Sequence, residues 1–293
     1  MNAQEEIRSA IKSCKAPVLN QNLLWTPRHY STLTSFEDLS STTRSTTQFY
    51  DVPLTSIVML GRDGPDRVYE EIFGRRPDGG LRVLPLTWRL LMNHWLRDDR
   101  WGQAALDMIA SPFGRRPFPV PGSHDYLSLI SYGGALSCYV GNHRIVAAVC
   151  WAAAHGMSHL KEVEVSVRPV PSSAISELIS KFDEGWKIEV CHAERITKSS
   201  NARSLLIETE RSPLIILSRS NNGGRLLRET YWLIRNSLER TFERDLYWWE
   251  KLILRERPPK KTMSERVSEV PRSVIEAWRN SGWLNNPLPN PEN

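Results

Sequence analysis

The chain has 293 residues, 40% of them hydrophobic and 24% charged, ordinary globular proportions that argue against wholesale disorder. This length suits one large or two modest domains. The net charge of +5 and a pI near 9.1 are compatible with a polyanionic partner. The longest uncharged apolar run, Ile145 to Ala154, is too short to span a bilayer. Cys14, Cys138, Cys150 and Cys191 form no C-x-x-C pair and no histidine stands at metal spacing, so no metal site is expected. The opening M-N-A-Q-E-E-I-R has no hydrophobic signal-peptide core, which leads to the expectation of a reduced, cytoplasmic protein without membrane contact.

Residues 3–13 have the spacing of a short amphipathic helix, and the serine- and threonine-rich stretch 26–47 reads as irregular surface. Phe49 to Leu60 reads as a strand that Pro53 confines to an edge or a strand start. Helical patterns occupy 65–73, 85–97 and 102–110, with Leu90, Leu91, His94 and Trp95 on one apolar face and His94 as a packed residue. R-R-P-F-P-V, Arg115 to Val120, opens a further strand, and Ser123 to Ser131 reads as a helix. A strand at 136–140, a helix at 143–155 and an alternating strand at 160–167 follow, ended by Pro169 and Pro171.

Beyond Pro171 the pattern predicts a helix at 172–181, strands at 186–191 and 213–217, and a long helix over 225–255. Leu226, Leu227, Trp232, Leu233, Leu238, Phe242, Leu246, Trp249, Leu252 and Ile253 keep helical spacing there, a surface for a homo-oligomer or a protein partner. A last helix is expected at 271–281 and a disordered tail at 286–293. Eight of the eleven tryptophans cluster near 88–101, 232–249 and 278–283, where packing is the leading role. Arg75-Arg76, Arg115-Arg116 and the group Arg255, Arg257, Lys260 and Lys261 are basic patches that DNA could use.

The most informative stretch is L-S-C-Y-V-G-N-H-R-I-V, Leu136 to Val146. A strand-like run breaks at Gly141 and a helix-like run continues to Gly156. A glycine at a strand-to-helix turn lets backbone approach a ligand, and the free N–H groups of the first helical turn form an anion site. Asn142 reads as the helix cap, while His143 and Arg144 lie in that first turn. Arg144 would add a guanidinium fork to the backbone donors, and His143 could bind phosphate or move a proton. The same residues also suit an ordinary capped turn with a solvated arginine and a buried structural histidine.

The stretch from Asp51 to about Arg168 resembles the ParB/sulfiredoxin superfamily. The resemblance rests on the strand D-V-P-L-T-S-I, a P-F-P-V strand with a following helix, and the box V-G-N-H-R-I-V-A-A with its helix and alternating strand. Gly141, Arg144 and Ala147 match the spacing G-x-x-R-x-x-A that ParB-like proteins place against nucleotide phosphates. The resemblance implies an α+β fold, a small mixed sheet with helices, that holds ATP or CTP, with Mg2+, at Gly141, Asn142, His143 and Arg144. His143 is the candidate catalytic group.

The chain departs from that pattern at two positions. Asn142 stands where sulfiredoxins have a nucleophilic cysteine, and a carboxamide cannot attack a sulfinyl phosphate. Val140 stands where ParB-like kinases and nucleases have an aspartate, so a catalytic carboxylate would have to come from elsewhere, such as Asp98, Asp99 or Asp125. No helix-turn-helix follows Arg168.

The domain organisation read from these patterns has four parts. An N-terminal helix and irregular segment fill 1–48, and the ParB/sulfiredoxin-like domain fills 49–168 with a helical insertion at 61–114. A mainly helical C-terminal region fills 169–285, and the tail is 286–293. The expected function is nucleotide binding on or near DNA. The alternatives are a ParB-like nuclease or small-molecule phosphotransferase, and a non-catalytic interaction or assembly module on the same fold.

Overall fold

The computed structural model describes residues 9–24, 45–61, 70–79, 85–95, 127–168, 170–201, 204–220, 224, 226–234, 237–240 and 268–289. The fold is mixed α+β with several sheets, in two compact units. The first unit takes the chain up to Arg168 apart from 31–44, and again from Pro271 onward; the second takes Pro169–Val270.

The first unit is built on a five-stranded mixed sheet formed by β2 (Thr46–Pro53), β3 (Ile57–Leu60), β5 (Ser128–Tyr132), β6 (Ala135–Val140) and β7 (His159–Arg168), in the order β2-β7-β5-β6-β3. Two short strands, β1 (Asn22–Leu23) and β4 (Leu86–Thr87), pair beside it. The strand expected over 49–60 is therefore two strands at opposite edges of the sheet. Pro53, with φ −61° and no N–H, ends β2 at a 3-10 turn over Leu54–Ser56, and β3 leaves in a new direction. The helix expected over 123–131 is also corrected, because Ser128–Tyr132 is β5. Gly133 (φ 63°) and Gly134 (φ 104°) form a two-residue turn that pairs β5 antiparallel with β6. Two successive positive φ values suit the twist of a hairpin, and only glycine supplies both without strain.

Four helices carry the labels α1 (Trp88–Trp95), α2 (Asn142–Ala154), α3 (Ser172–Asp183) and α4 (Arg272–Arg279). Ile145, Val146, Val149 and Cys150 of α2 are fully buried in one cluster with Leu129, Leu136, Cys138, Val163 and Val165 of the sheet and Trp88, Leu91 and Met92 of α1. All four residues of β3 and the first four of β6 are buried. Successive side chains alternate between faces, so both faces of these strands are covered. α2 covers one. α4 packs against β3, β6 and the 54–56 turn through Val274, Ile275, Ala277 and Trp278. The tail expected to be disordered is anchored at Leu288, whose N–H donates to the Phe49 carbonyl at 2.8 Å.

The second unit corrects the expectation of a mainly helical C-terminal region. After α3 come β8 (Lys187–Asn201), β9 (Ser204–Ser220), β10 (Leu226–Ile234), β11 (Ser237–Arg240) and β12 (Ser268–Glu269), an antiparallel sheet in the order β11-β10-β9-β8-β12. The helix expected over 225–255 is in its first part the β10–β11 hairpin, with Leu233 opposite Leu238. Its apolar residues also suit a strand, and the apolar run Leu214–Leu217 of β9 supplies a pairing edge that local spacing does not reveal. The part of that expected surface at 226–238 lies on strands and not on one helix, and residues 241–255 lie outside the described residues.

Among the described residues no helix is long and apolar enough to cross a membrane. The expected helix at 102–110, the strand at 115–120 and Asp98, Asp99 and Asp125 lie outside the described residues.

Candidate functional site

β6 runs out of the sheet at Tyr139 and Val140, which are 51% and 50% exposed after four buried residues. Gly141 follows with φ +88° and ψ 31°, a left-handed conformation that an L side chain would strain. α2 begins at Asn142. The expectation that Asn142 caps the helix is corrected: Gly141 is the N-cap, and it brings no side-chain cap bond. Ile145 N–H donates to the Gly141 carbonyl at 2.9 Å, the first bond of the helix ladder. The N–H groups of Asn142, His143 and Arg144 precede that bond and point beyond the helix start. No acidic residue lies in the first turn.

β3 and β6 are parallel, so their C-terminal ends open on the same side as the start of α2. Gly61, just past β3, donates its N–H to the Cys138 carbonyl at 2.8 Å. A Cβ on Gly61 would lie 3.2 Å from both that oxygen and Ser137 Oγ, so a larger residue would push the two chain segments apart by a few tenths of an ångström. Sequence reasoning missed Gly61. The signal was a glycine directly after the apolar run Ile57 to Leu60. In mixed sheets, the space beyond the carboxyl ends of neighbouring parallel strands is a common place for a ligand.

Asn142 is 5% exposed, and neither Oδ1 nor Nδ2 has a hydrogen-bond partner among the described residues. Arg144 is half-buried. Of the residues expected to bind phosphate, the backbone brings Gly141, Asn142, His143 and Arg144 together in one turn of α2. The side chain of His143 lies outside what is described. Cys138 is fully buried two residues before the end of β6, with Sγ donating to the Val140 carbonyl at 3.1 Å. Burial pushes its thiol well above the ordinary range, so it is not a thiolate at neutral pH.

Asp51 lies in β2, at the far edge of the sheet from β3, and is paired with Lys161 and the Glu162 N–H. His94 is buried and its Nε2 lies 3.0 Å from Glu71 Oε2. Of the basic pairs, Arg75 is forked onto Glu70 at 2.7 and 2.8 Å and Arg76 lies 3.4 Å from Asp78. Arg115, Arg116 and the 255–261 group lie outside the described residues. Among the described residues no group of three or more histidine, cysteine and acidic side chains is placed to hold a metal ion.

Comparison with protein-family models, with curated proteins and with solved structures found no match to this chain. The class defined by fold and site is therefore the coarse one, a mixed α+β protein in which a helix starts at the end of two parallel strands.

Proposed function

We propose that the first unit is a nucleotide-binding domain of ParB/sulfiredoxin type, and that the protein works on or near DNA. The observation that carries the reading is the start of α2, where left-handed Gly141 holds the N-cap position without a side-chain cap bond and Arg144 lies within the first turn. A helix N-terminus with exposed donors and a positive dipole end favours an anion, and a guanidinium adds a forked contact to phosphate. The box, the helix after it and the alternating strand, on a small mixed sheet, support the reading, whereas the helix that the resemblance places before the box is in its described part the strand β5. ATP or CTP with Mg2+ is the proposed ligand, with Gly141, Asn142 and Arg144 around its phosphates.

The part played by DNA rests on the basic composition. The locally paired Arg75 and Arg76 add little to it.

A thermal-shift screen against ATP, CTP and GTP, each with and without magnesium, tests the nucleotide reading. A ligand present at a hundred times its dissociation constant adds about 2.7 kcal/mol to stability. No shift with any of the three removes the reading.

A further inference from the structure

We infer that Asn142 selects a ligand carrying a hydroxyl group beside its phosphate, a ribonucleotide rather than a bare polyphosphate. The inference rests on the phosphate site proposed above and concerns one side chain within it. Asn142 is the first helical residue of α2, and in a helix the Cα–Cβ bond leans toward the N-terminus. Its carboxamide is thereby directed toward the end of the helix where the anion would sit. Both polar atoms are buried and neither has a hydrogen-bond partner among the described residues, which is rare for a buried amide. An apolar side chain would fill this 5% exposed position at lower cost unless something binds the amide.

The chemistry of the amide narrows what that partner is. Nδ2 offers two donors and Oδ1 is an acceptor. A fully ionised phosphate only accepts, so it satisfies Nδ2 and leaves Oδ1 facing negative charge. A hydroxyl both donates and accepts, and so pairs with either end of the carboxamide. The 2′- and 3′-hydroxyls of a nucleotide's ribose, carried on the same molecule as the phosphate, supply it. Sites that bury a polar group for a substrate hydroxyl discriminate strongly against analogues lacking it, because the group is then left unpaired.

The experiment measures affinity by calorimetry for ATP and CTP, their 2′,3′-dideoxy analogues and inorganic tripolyphosphate. The proteins are the parent, Asn142→Ala, Asn142→Ser and Arg144→Ala. The parent is expected to prefer the ribonucleotide over its dideoxy analogue by about tenfold, the effect of roughly 1.4 kcal/mol from the lost hydrogen bonds. Asn142→Ala brings that ratio close to one. Asn142→Ser replaces the carboxamide by a hydroxyl that can both donate and accept, and retains part of the ratio, so the inference stays testable if the alanine variant folds poorly.

Equal affinity of the parent for ribo and dideoxy ligands overturns the inference, and a water then occupies the amide. An unchanged ratio in Asn142→Ala overturns it as well. If tripolyphosphate and nucleotides all fail to bind the parent, the phosphate site itself is wrong. Binding by the parent that Arg144→Ala abolishes, without any hydroxyl preference, leaves the phosphate site standing and removes only the role of Asn142.

Discussion

The indole Nε1–H of Trp278 donates to the Tyr132 carbonyl at 2.9 Å, joining α4 to the end of β5 across 146 residues of sequence. Next to it, Ser281 lies over the Gly133-Gly134 turn, and the Trp283 ring meets Tyr50 edge-on with centroids 5.2 Å apart. The last segment of the chain thus completes the first unit, although the second unit lies between them in sequence.

Trp278 is 2% exposed, and Trp278→Ala should destabilise the first unit by about 3–5 kcal/mol, a typical loss for a buried aromatic. Trp278→Phe should cost less, because it keeps ring packing and loses mainly the bond to Tyr132. Urea unfolding followed by far-ultraviolet circular dichroism gives both values. Equal losses for the two variants would show that the hydrogen bond, not the packing, holds α4.

Gly134→Ala should destabilise far more than Gly156→Ala. Both glycines have positive φ, +104° and +70°, but an added Cβ at Gly134 would sit 2.4 Å from Ser281 Cβ, while at Gly156 nothing lies within 4 Å. The strain of a left-handed alanine is about 1 kcal/mol in each, and overpacking adds about 1–3 kcal/mol at Gly134 alone. Thermal unfolding of the two variants checks the order, and a smaller loss at Gly134 would contradict the close approach of Ser281.

Arg144→Ala should abolish nucleotide-dependent stabilisation and leave the unliganded melting temperature near that of the parent. Loss of one charged hydrogen bond to phosphate removes about 1.5–3 kcal/mol of binding. A thermal-shift titration of parent and variant measures it. A variant that responds to nucleotide as the parent does places the site elsewhere.

Cys138 and Cys150 should resist thiol reagents in the native protein, and Cys14, only half-buried, should react before them. Burial raises both thiols, so both stay protonated when folded. In the unfolded chain they ionise near the ordinary cysteine value of about 8.5. The sign follows: their contribution to stability is complete below that pH and falls as pH rises past it, because only the unfolded state releases protons. Maleimide labelling at pH 8 with peptide mapping reads the first point, and denaturant midpoints between pH 7 and pH 10 read the second. Fast labelling of Cys138 in the folded protein would mean that the end of β6 opens.

Binding to duplex DNA, if driven by the net charge of +5, should be weak, indifferent to sequence and steeply weakened by salt. Fluorescence anisotropy with two unrelated duplexes across a salt series checks this. A flat salt dependence, or no binding at low salt, takes DNA out of the proposed function.

Much of the strand–helix junction was legible because its signals are local. The helix expected at 143–155 is α2 at Asn142–Ala154, and the strand expected at 160–167 is β7 at His159–Arg168. A glycine between an apolar strand and an apolar helix marks the junction without help from the rest of the chain. The cap was misplaced by one residue, because a left-handed glycine can hold the N-cap position and leave the asparagine inside the helix.

The sequence by itself determined the α+β character, the strand–glycine–helix junction at Gly141 and the burial of the tryptophans at 88 and 278. Tertiary structure decided where each strand found its partner. Leu226–Ile234 carries apolar residues compatible with either helix or strand, and its pairing with Leu214–Ser220 of β9 settled the choice. Ser128–Tyr132 became a strand because the diglycine turn folds it onto β6. Backbone hydrogen bonds in a helix close within four residues, whereas those of a strand are completed by distant residues. Local spacing therefore records the first kind and is silent on the second. The same reason hid α4: its stripe of Val274, Ile275 and Trp278 announces a buried helix, and only the folded chain shows that it closes over β3 and β6.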